Sequence, residues 1–239
     1  RFDSRLAVPQ TWDAFTQVVR FFNRPEDVLS GLVFFACEDG YNTVCDFCVH
    51  LWSRGGMLAG ASGKFSLNHP LVGETLAFYR EMVNDPQIVS PHTRTVDAVE
   101  SGMAFVRGEA AMMMNWYSCA AQCECLSESK VKGKVGVAHL PNDTAQPGFS
   151  LNVYWVLGIA VESDRKDLAY RVIRHCATRK MDRVLTLEGG NDSRRSTWQD
   201  EQLNRQIPFY RGFWRRSRAK CVICLVFLNG SDWRTSSIR

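Results

Sequence analysis

The stretch Phe105-Val-Arg-Gly-Glu-Ala-Ala-Met-Met-Met-Asn-Trp116 constrains this chain more than any other. A helix running into it ends at Gly108, the residue type that most readily takes the left-handed position closing a helix. Ala110 to Met114 is then apolar at every position. The run is short and lacks the alternation of a half-exposed strand, so it reads as a strand covered on both faces. Such a strand needs a layer above and a layer below, which places the chain in the α/β class. Strand tips in open α/β sheets are where small ligands bind. The spacing therefore predicts that Asn115 and Trp116 are presented rather than packed away.

The remaining elements fit that frame. Trp12, Phe15, Val19 and Phe22 recur at helical spacing after Pro9, with Thr11 as cap and Asp13 at the positive end. Gly31-Leu-Val-Phe-Phe-Ala-Cys37 reads as a buried strand, and Glu38 to Asn42 as the loop leaving it. Val44, Phe47, Cys48, Leu51 and Trp52 make the next helical stripe, stopped by Gly55-Gly56. Val72, Leu76, Tyr79 and Val83 give another helix one face, and a further helix runs from about Val96 into the opening stretch. Lys134 to Pro141 and the region around Tyr154–Val161 are expected strands. Leu168, Val172, Ile173 and Cys176 mark a helix, and a last one spans Asp200 to about Ser217. Strands alternate with helices throughout, which predicts a mostly parallel sheet.

With 239 residues, 45% hydrophobic and 23% charged, the chain can bury one large core or two modest ones. The net charge of +4 sits mainly in Arg211-Gly-Phe-Trp-Arg-Arg-Ser-Arg-Ala-Lys220. That cluster reads as a solvated helix face, and no nucleic-acid partner is expected. No apolar run approaches the roughly 18–20 residues of a membrane span; Cys221 to Leu228 is much too short. The opening Arg1-Phe-Asp-Ser-Arg5 lacks a basic-then-apolar leader, and a start without methionine reads as a fragment or a processed chain.

Nine cysteines leave several chemistries open. Cys45-Asp-Phe-Cys48 and Cys221-Val-Ile-Cys224 have zinc-type spacing, and Cys119, Cys123 and Cys125 cluster. Against a metal site, Cys48 belongs to an apolar helical stripe and the two pairs lie far apart in the chain. Disulfides and buried thiols are the other readings, and no metal or cofactor is expected. Catalysis has less support still. None of the five histidines (His50, His69, His92, His139, His175) sits in a metalloprotease, nucleophile-elbow, P-loop or dinucleotide-binding context.

Binding fits the residues better. Aromatics stand beside amides and carboxylates at expected strand ends: Asp39/Tyr41/Asn42, Asn115/Trp116/Tyr117 and Ser150/Asn152/Tyr154. A sugar offers an apolar face for a ring and a rim of hydroxyls for Asp, Asn and Arg. Core packing is the competing role for Trp116, and the favoured one for Trp12, Trp52 and Trp155.

Seven segments in order resemble the sugar-type (family 1) extracellular solute-binding proteins that serve bacterial ABC importers. They are Val8-Pro-Gln-Thr-Trp-Asp-Ala-Phe15, Leu51-Trp-Ser-Arg-Gly-Gly56, Leu76-Ala-Phe-Tyr-Arg80, the opening stretch with its F-x-x-G-x-A-A-M…W pattern, Gly136-Val-Ala-His-Leu-Pro141, Trp155-Val-Leu-Gly-Ile-Ala160 and Gly189 to Ser196. The resemblance implies a periplasmic-binding-protein-like (type II) α/β fold with two lobes joined by hinge crossings. It places residues 1–140 in most of the C-terminal lobe, 141–187 in a return to the N-terminal lobe, and 188–239 back in the C-terminal lobe. By the same resemblance, the chain is expected to lack the family's N-terminal part. The function implied is a non-catalytic carbohydrate receptor, periplasmic or extracellular and membrane-anchored, that docks on the transmembrane subunits of an ABC permease.

Carried over by position, the ligand contacts implied are Asp39, Tyr41, Asn42, Asn115, Trp116, Ser150, Asn152, Asp192 and Arg194. The chain departs from the pattern at Ser150 to Asn152, where relatives often carry glycines. It departs again in its nine cysteines and in the tail from about Cys221. Capping and a surface ion pair are the competing roles of Asp192 and Arg194. A ligand sensor with the same fold, and a cysteine-based zinc or thiol-redox protein, are the alternatives.

Overall fold

The computed structural model describes residues 7–59, 63–144, 150–151, 153, 155–190 and 193–210, and the backbone of 223–228. Asn152, Tyr154, Asp192, Cys221 and the basic cluster 211–220 lie outside the described residues, as does any continuation of the last helix beyond Tyr210.

Helix α1 (Trp12–Phe22) starts where the Thr11 side chain accepts the Ala14 N–H. Its inner face of Trp12, Phe15, Val18 and Val19 is buried over strand β1 (Ser30–Val33). The two pack so closely that a Cβ on Gly31 would lie 2.2 Å from the Val19 carbonyl oxygen, so only glycine fits. Helices α2 (Asn42–Trp52) and α3 (Pro70–Asn84) follow. Helix α4 (Ala98–Val106) is capped by the Asp97 carboxylate, which accepts from the N–H groups of Val99 and Glu100. Gly108 closes it at φ +78°, the left-handed conformation the sequence calls for. Strand β2 (Ala110–Trp116) is buried from Ala110 through Asn115, and α5 (Tyr117–Cys125) leaves its tip directly. Strand β3 (Val135–Ala138) follows.

A fourth strand, β4 (Ile223–Leu228), completes a sheet of order β1-β2-β4-β3. β1 and β2 are parallel, with Leu32 opposite Met112. β4 runs antiparallel to both neighbours, its Val226 opposite Met113 on one side and Val137 on the other. Three strands thus share one direction and one opposes them. Nothing in the spacing of Cys221–Leu228 announced a strand at the centre of the sheet.

The core has two layers. Leu32, Met112 and Met114 face α1, α2 and α3, with Trp12, Phe15, Val49 and Tyr79 packed against them. Val33 and Met113 face the opposite side, among Phe105, Tyr117, Trp198 and Tyr210. Successive strand residues alternate between these layers, so an unbroken apolar run is the right pattern for β2.

The C-terminal third differs. Residues 155–160 form no regular structure, against the strand expected there, and Trp155 is 86% exposed. A strand exists only by pairing, and no described strand lies beside this segment. Helix α6 (Lys166–Cys176) forms as its stripe predicts yet buries no residue. Helices α7 (Arg179–Leu187), α8 (Arg195–Trp198) and α9 (Glu201–Gln206) complete the described chain. Among the described residues no helix is long and apolar enough to cross a membrane.

Candidate functional site

β1, β2 and β3 run in one direction, so their C-terminal ends share one edge of the sheet. That edge is where open α/β sheets take ligands. The chain leaves it as the loop after Val33, as Trp116 into α5, and as the segment from His139 to Thr144.

Asp39 organises the first exit. Its Oδ1 accepts from the backbone N–H of Tyr41 (3.0 Å) and of Asn42 (2.8 Å), and its Oδ2 accepts from the Asn42 side-chain amide. The carboxylate therefore caps the positive end of α2. Desolvation raises its pKa, but these three hydrogen bonds outweigh that and hold Asp39 below the usual carboxylate range. Asn42 is nearly enclosed, while Tyr41 is 41% exposed. The Tyr41 ring lies 6.3 Å from that of Trp155 at 60°. The sequence assigns Trp155 to packing because of its strand-like context; the structure instead leaves it exposed beside Tyr41.

The second exit corrects an expectation. Asn115 is fully enclosed. Its amide donates to the Ala98 carbonyl (2.8 Å) and the Ser101 hydroxyl (2.9 Å), and its carbonyl accepts the Trp116 N–H (2.6 Å). Asn115 thus ties the tip of β2 to the start of α4 instead of facing a ligand. Trp116 is half-buried and stacks on Phe35, ring centres 6.1 Å apart and 7° from parallel.

At the third exit Ser150 is half-buried and Leu151 packs on the core. Backbone bonds from Asn142 to Gln10 and from Asp143 to Ser53, with Asp143 accepting the Trp12 N–H, pin the preceding turn to α1 and α2. The Arg194 side chain bonds the Ala177 carbonyl and is held between α6 and α8. Its loop is fixed by Asp182, which the sequence reading did not single out. Nearly enclosed on α7, Asp182 accepts from the Ser193 N–H (3.0 Å), the Ser193 hydroxyl and the Thr197 hydroxyl (2.5 Å).

Behind the first exit, α2 carries two enclosed ionisable groups one turn apart. Burial raises Asp46 well above the carboxylate range, opposed by the Tyr79 phenol that faces it. Burial, with Arg54 adding repulsion, lowers His50 well below the ordinary imidazole value. His50 packs 4.2 Å from the Trp12 ring, and Trp12 Nε1 donates to the Ser53 hydroxyl at 2.7 Å.

None of the seven described cysteines is in a disulfide among the described residues. Burial raises Cys45, Cys48, Cys123 and Cys125, and burial with Asp39 alongside raises Cys37. Raised pKa values keep these five thiols protonated at neutral pH in the metal-free chain.

No protein-family model matches the chain. Solved structures do. Maltose-bound MalE3 of T. maritima matches 87% of this chain over 54% of its own, with TM-score 0.74 and 26% identity. An ABC transporter solute-binding protein of Agrobacterium radiobacter K84 in complex with ribitol matches 88% over 53%, at TM-score 0.76 and 22% identity. One from Agrobacterium vitis S4 with bound D-mannitol matches 87% over 51%, at TM-score 0.77 and 18% identity. The fold is therefore periplasmic-binding-protein-like, and its structural neighbours are sugar and polyol solute-binding proteins of ABC transporters. The chain spans about half the length of these structures.

Proposed function

We propose that this chain is part of a non-catalytic ABC-importer receptor that binds a carbohydrate or polyol at the C-terminal edge of its sheet. One observation carries the reading: Tyr41 and Trp155 meet at that edge, both exposed, in a fold whose neighbours hold maltose, ribitol and D-mannitol. The apolar face of a sugar lies on these rings, with Trp116 behind them. Asp39 is held ionised and accepts from ligand hydroxyls, with Ser150, Asn152, Asp192 and Arg194 as further rim contacts. Asn42 acts by orienting Asp39, and Asn115 by fixing the strand tip. Residues 1–140 and 188–239 form one lobe and 141–187 cross towards a second. Closure of two lobes around the ligand offers a surface to the permease outside the cytoplasmic membrane.

A thermal-shift series with maltose, ribitol, D-mannitol and a panel of further sugars tests this. A ligand at one hundred times its Kd adds about 2.7 kcal/mol of stability by linkage, and the shift should vanish in Tyr41→Ala and Trp155→Ala. A folded sample that shifts with none of them, or equally in both variants, sinks the assignment.

A further inference from the structure

Helices α2 and α3 pack against one another, and their seam gathers enclosed polar groups. Asp46 and His50 lie one turn apart on α2, and Thr75 and Tyr79 one turn apart on α3. Asp46, His50 and Thr75 are fully enclosed, and Tyr79 is buried. The Tyr79 phenol faces the Asp46 carboxyl, and its ring centre lies 5.6 Å from that of His50. Yet among the described residues neither Asp46 oxygen, neither His50 nitrogen, nor the hydroxyl of Thr75 or Tyr79 has a hydrogen-bond partner. Other helical threonines of this chain behave differently. Thr16 and Thr186 donate to the carbonyls of Trp12 and Asp182, four residues back, a bond Thr75 does not take. Native interiors leave few enclosed polar groups unpaired, because each carries its full desolvation cost. Four such side chains at one seam point to a shared partner.

We propose that α2 and α3 enclose a hydration site, in which internal water bridges Asp46, His50 and Tyr79 and extends to Thr75. The donor and acceptor inventory selects water. Burial keeps a proton on Asp46 and leaves His50 neutral, so each of the four groups has one proton to donate and a lone pair with which to accept. Groups of that kind that do not bond one another are matched by a small molecule able to donate twice and accept twice. A cation fits poorly. It would meet no carboxylate charge, and the Arg54 guanidinium, which donates to the His50 carbonyl at 3.0 Å, would repel it. An apolar occupant would leave every one of these polar atoms unpaired. The site lies behind the first exit, on the helix whose start Asp39 caps, and it does not depend on the ligand assigned there.

Magnetic relaxation dispersion of the water oxygen, which reads long-lived internal water, tests the proposal on the full chain. The parent should hold more such water than Asp46→Leu, whose apolar side chain offers it no bond. Tyr79→Phe and Thr75→Val keep the packing and remove only a hydroxyl, so each should lower the urea midpoint by stripping a bond to water. A midpoint unchanged or raised in Tyr79→Phe would mean that the phenol has no partner, and overturns the proposal. Equal long-lived water in the parent and in Asp46→Leu overturns it as well, and assigns any lost stability to direct pairing of Asp46 with Tyr79. If Asp46→Leu does not fold, cross-relaxation between water and the His50 ring protons of the parent decides the matter: its presence supports the site and its absence overturns it.

Discussion

Two short apolar runs of this chain meet opposite fates. Ala110–Met114 is buried at every residue, whereas Trp155–Leu157 stand open to solvent. Their side chains are of similar character and both runs leave a loop. The difference lies in what surrounds them. β2 has β1 and β4 on its edges and a helical layer on each face, while residues 155–160 have neither among the described residues. Apolar composition states a demand for burial; neighbours meet it or leave it unmet.

The strongest break in this comparison is a charge in the first run. Met113→Asp places an unpaired carboxylate at a fully enclosed position and should cost about 3–5 kcal/mol, enough to abolish the cooperative urea transition. Asn115→Leu is next. It removes both donors from Ala98 and Ser101 and the acceptor from Trp116, so about 1–3 kcal/mol should be lost in the same melts. A mutant as stable as the parent would mean that Asn115 is free for another task.

The enclosed pair on α2 sharpens the contrast through pH. Folded Asp46 keeps a proton that the unfolded chain has lost above the ordinary value of 3.8, so its contribution to stability falls as pH rises. Folded His50 refuses a proton that the unfolded chain takes up below 6.5, so its contribution falls as pH falls. Between those values the two slopes oppose one another, each at most about 1.4 kcal/mol per pH unit, so they offset each other in the parent. Asp46→Asn should expose the histidine slope, with stability rising towards neutrality. His50→Phe should expose the opposite slope. Urea melts across that window check both signs, and unchanged profiles would show that neither group is enclosed. The smallest effect belongs to the second run: Leu157→Asp should alter stability by no more than about 0.5 kcal/mol.

Much of the fold was legible because it rests on local chemistry. Thr11 and Gly108 carry their caps in their own side chains or lack of one, and the stripe of α6 is a helical period that forms without burying a residue among the described ones. The candidate site was less legible. Tyr41 and Asp39 could be read from a loop leaving a strand, but Asn115 looked presented because a strand tip says nothing about the helix beside it. Trp155 looked buried for the converse reason. Asp182 gave no signal, since its partners Ser193 and Thr197 lie 11 and 15 residues away.

By itself the sequence determined the α/β class, the caps, and the covered run of β2, all set by backbone preference and side-chain period within a few residues. Tertiary structure alone decided that Ile223–Leu228 contributes the strand between β2 and β3, that Asn115 is a tie, and that Trp155 is open. Each of these depends on partners distant in the chain, because burial and strand pairing are properties of neighbours, and neighbours are chosen only when the whole chain folds.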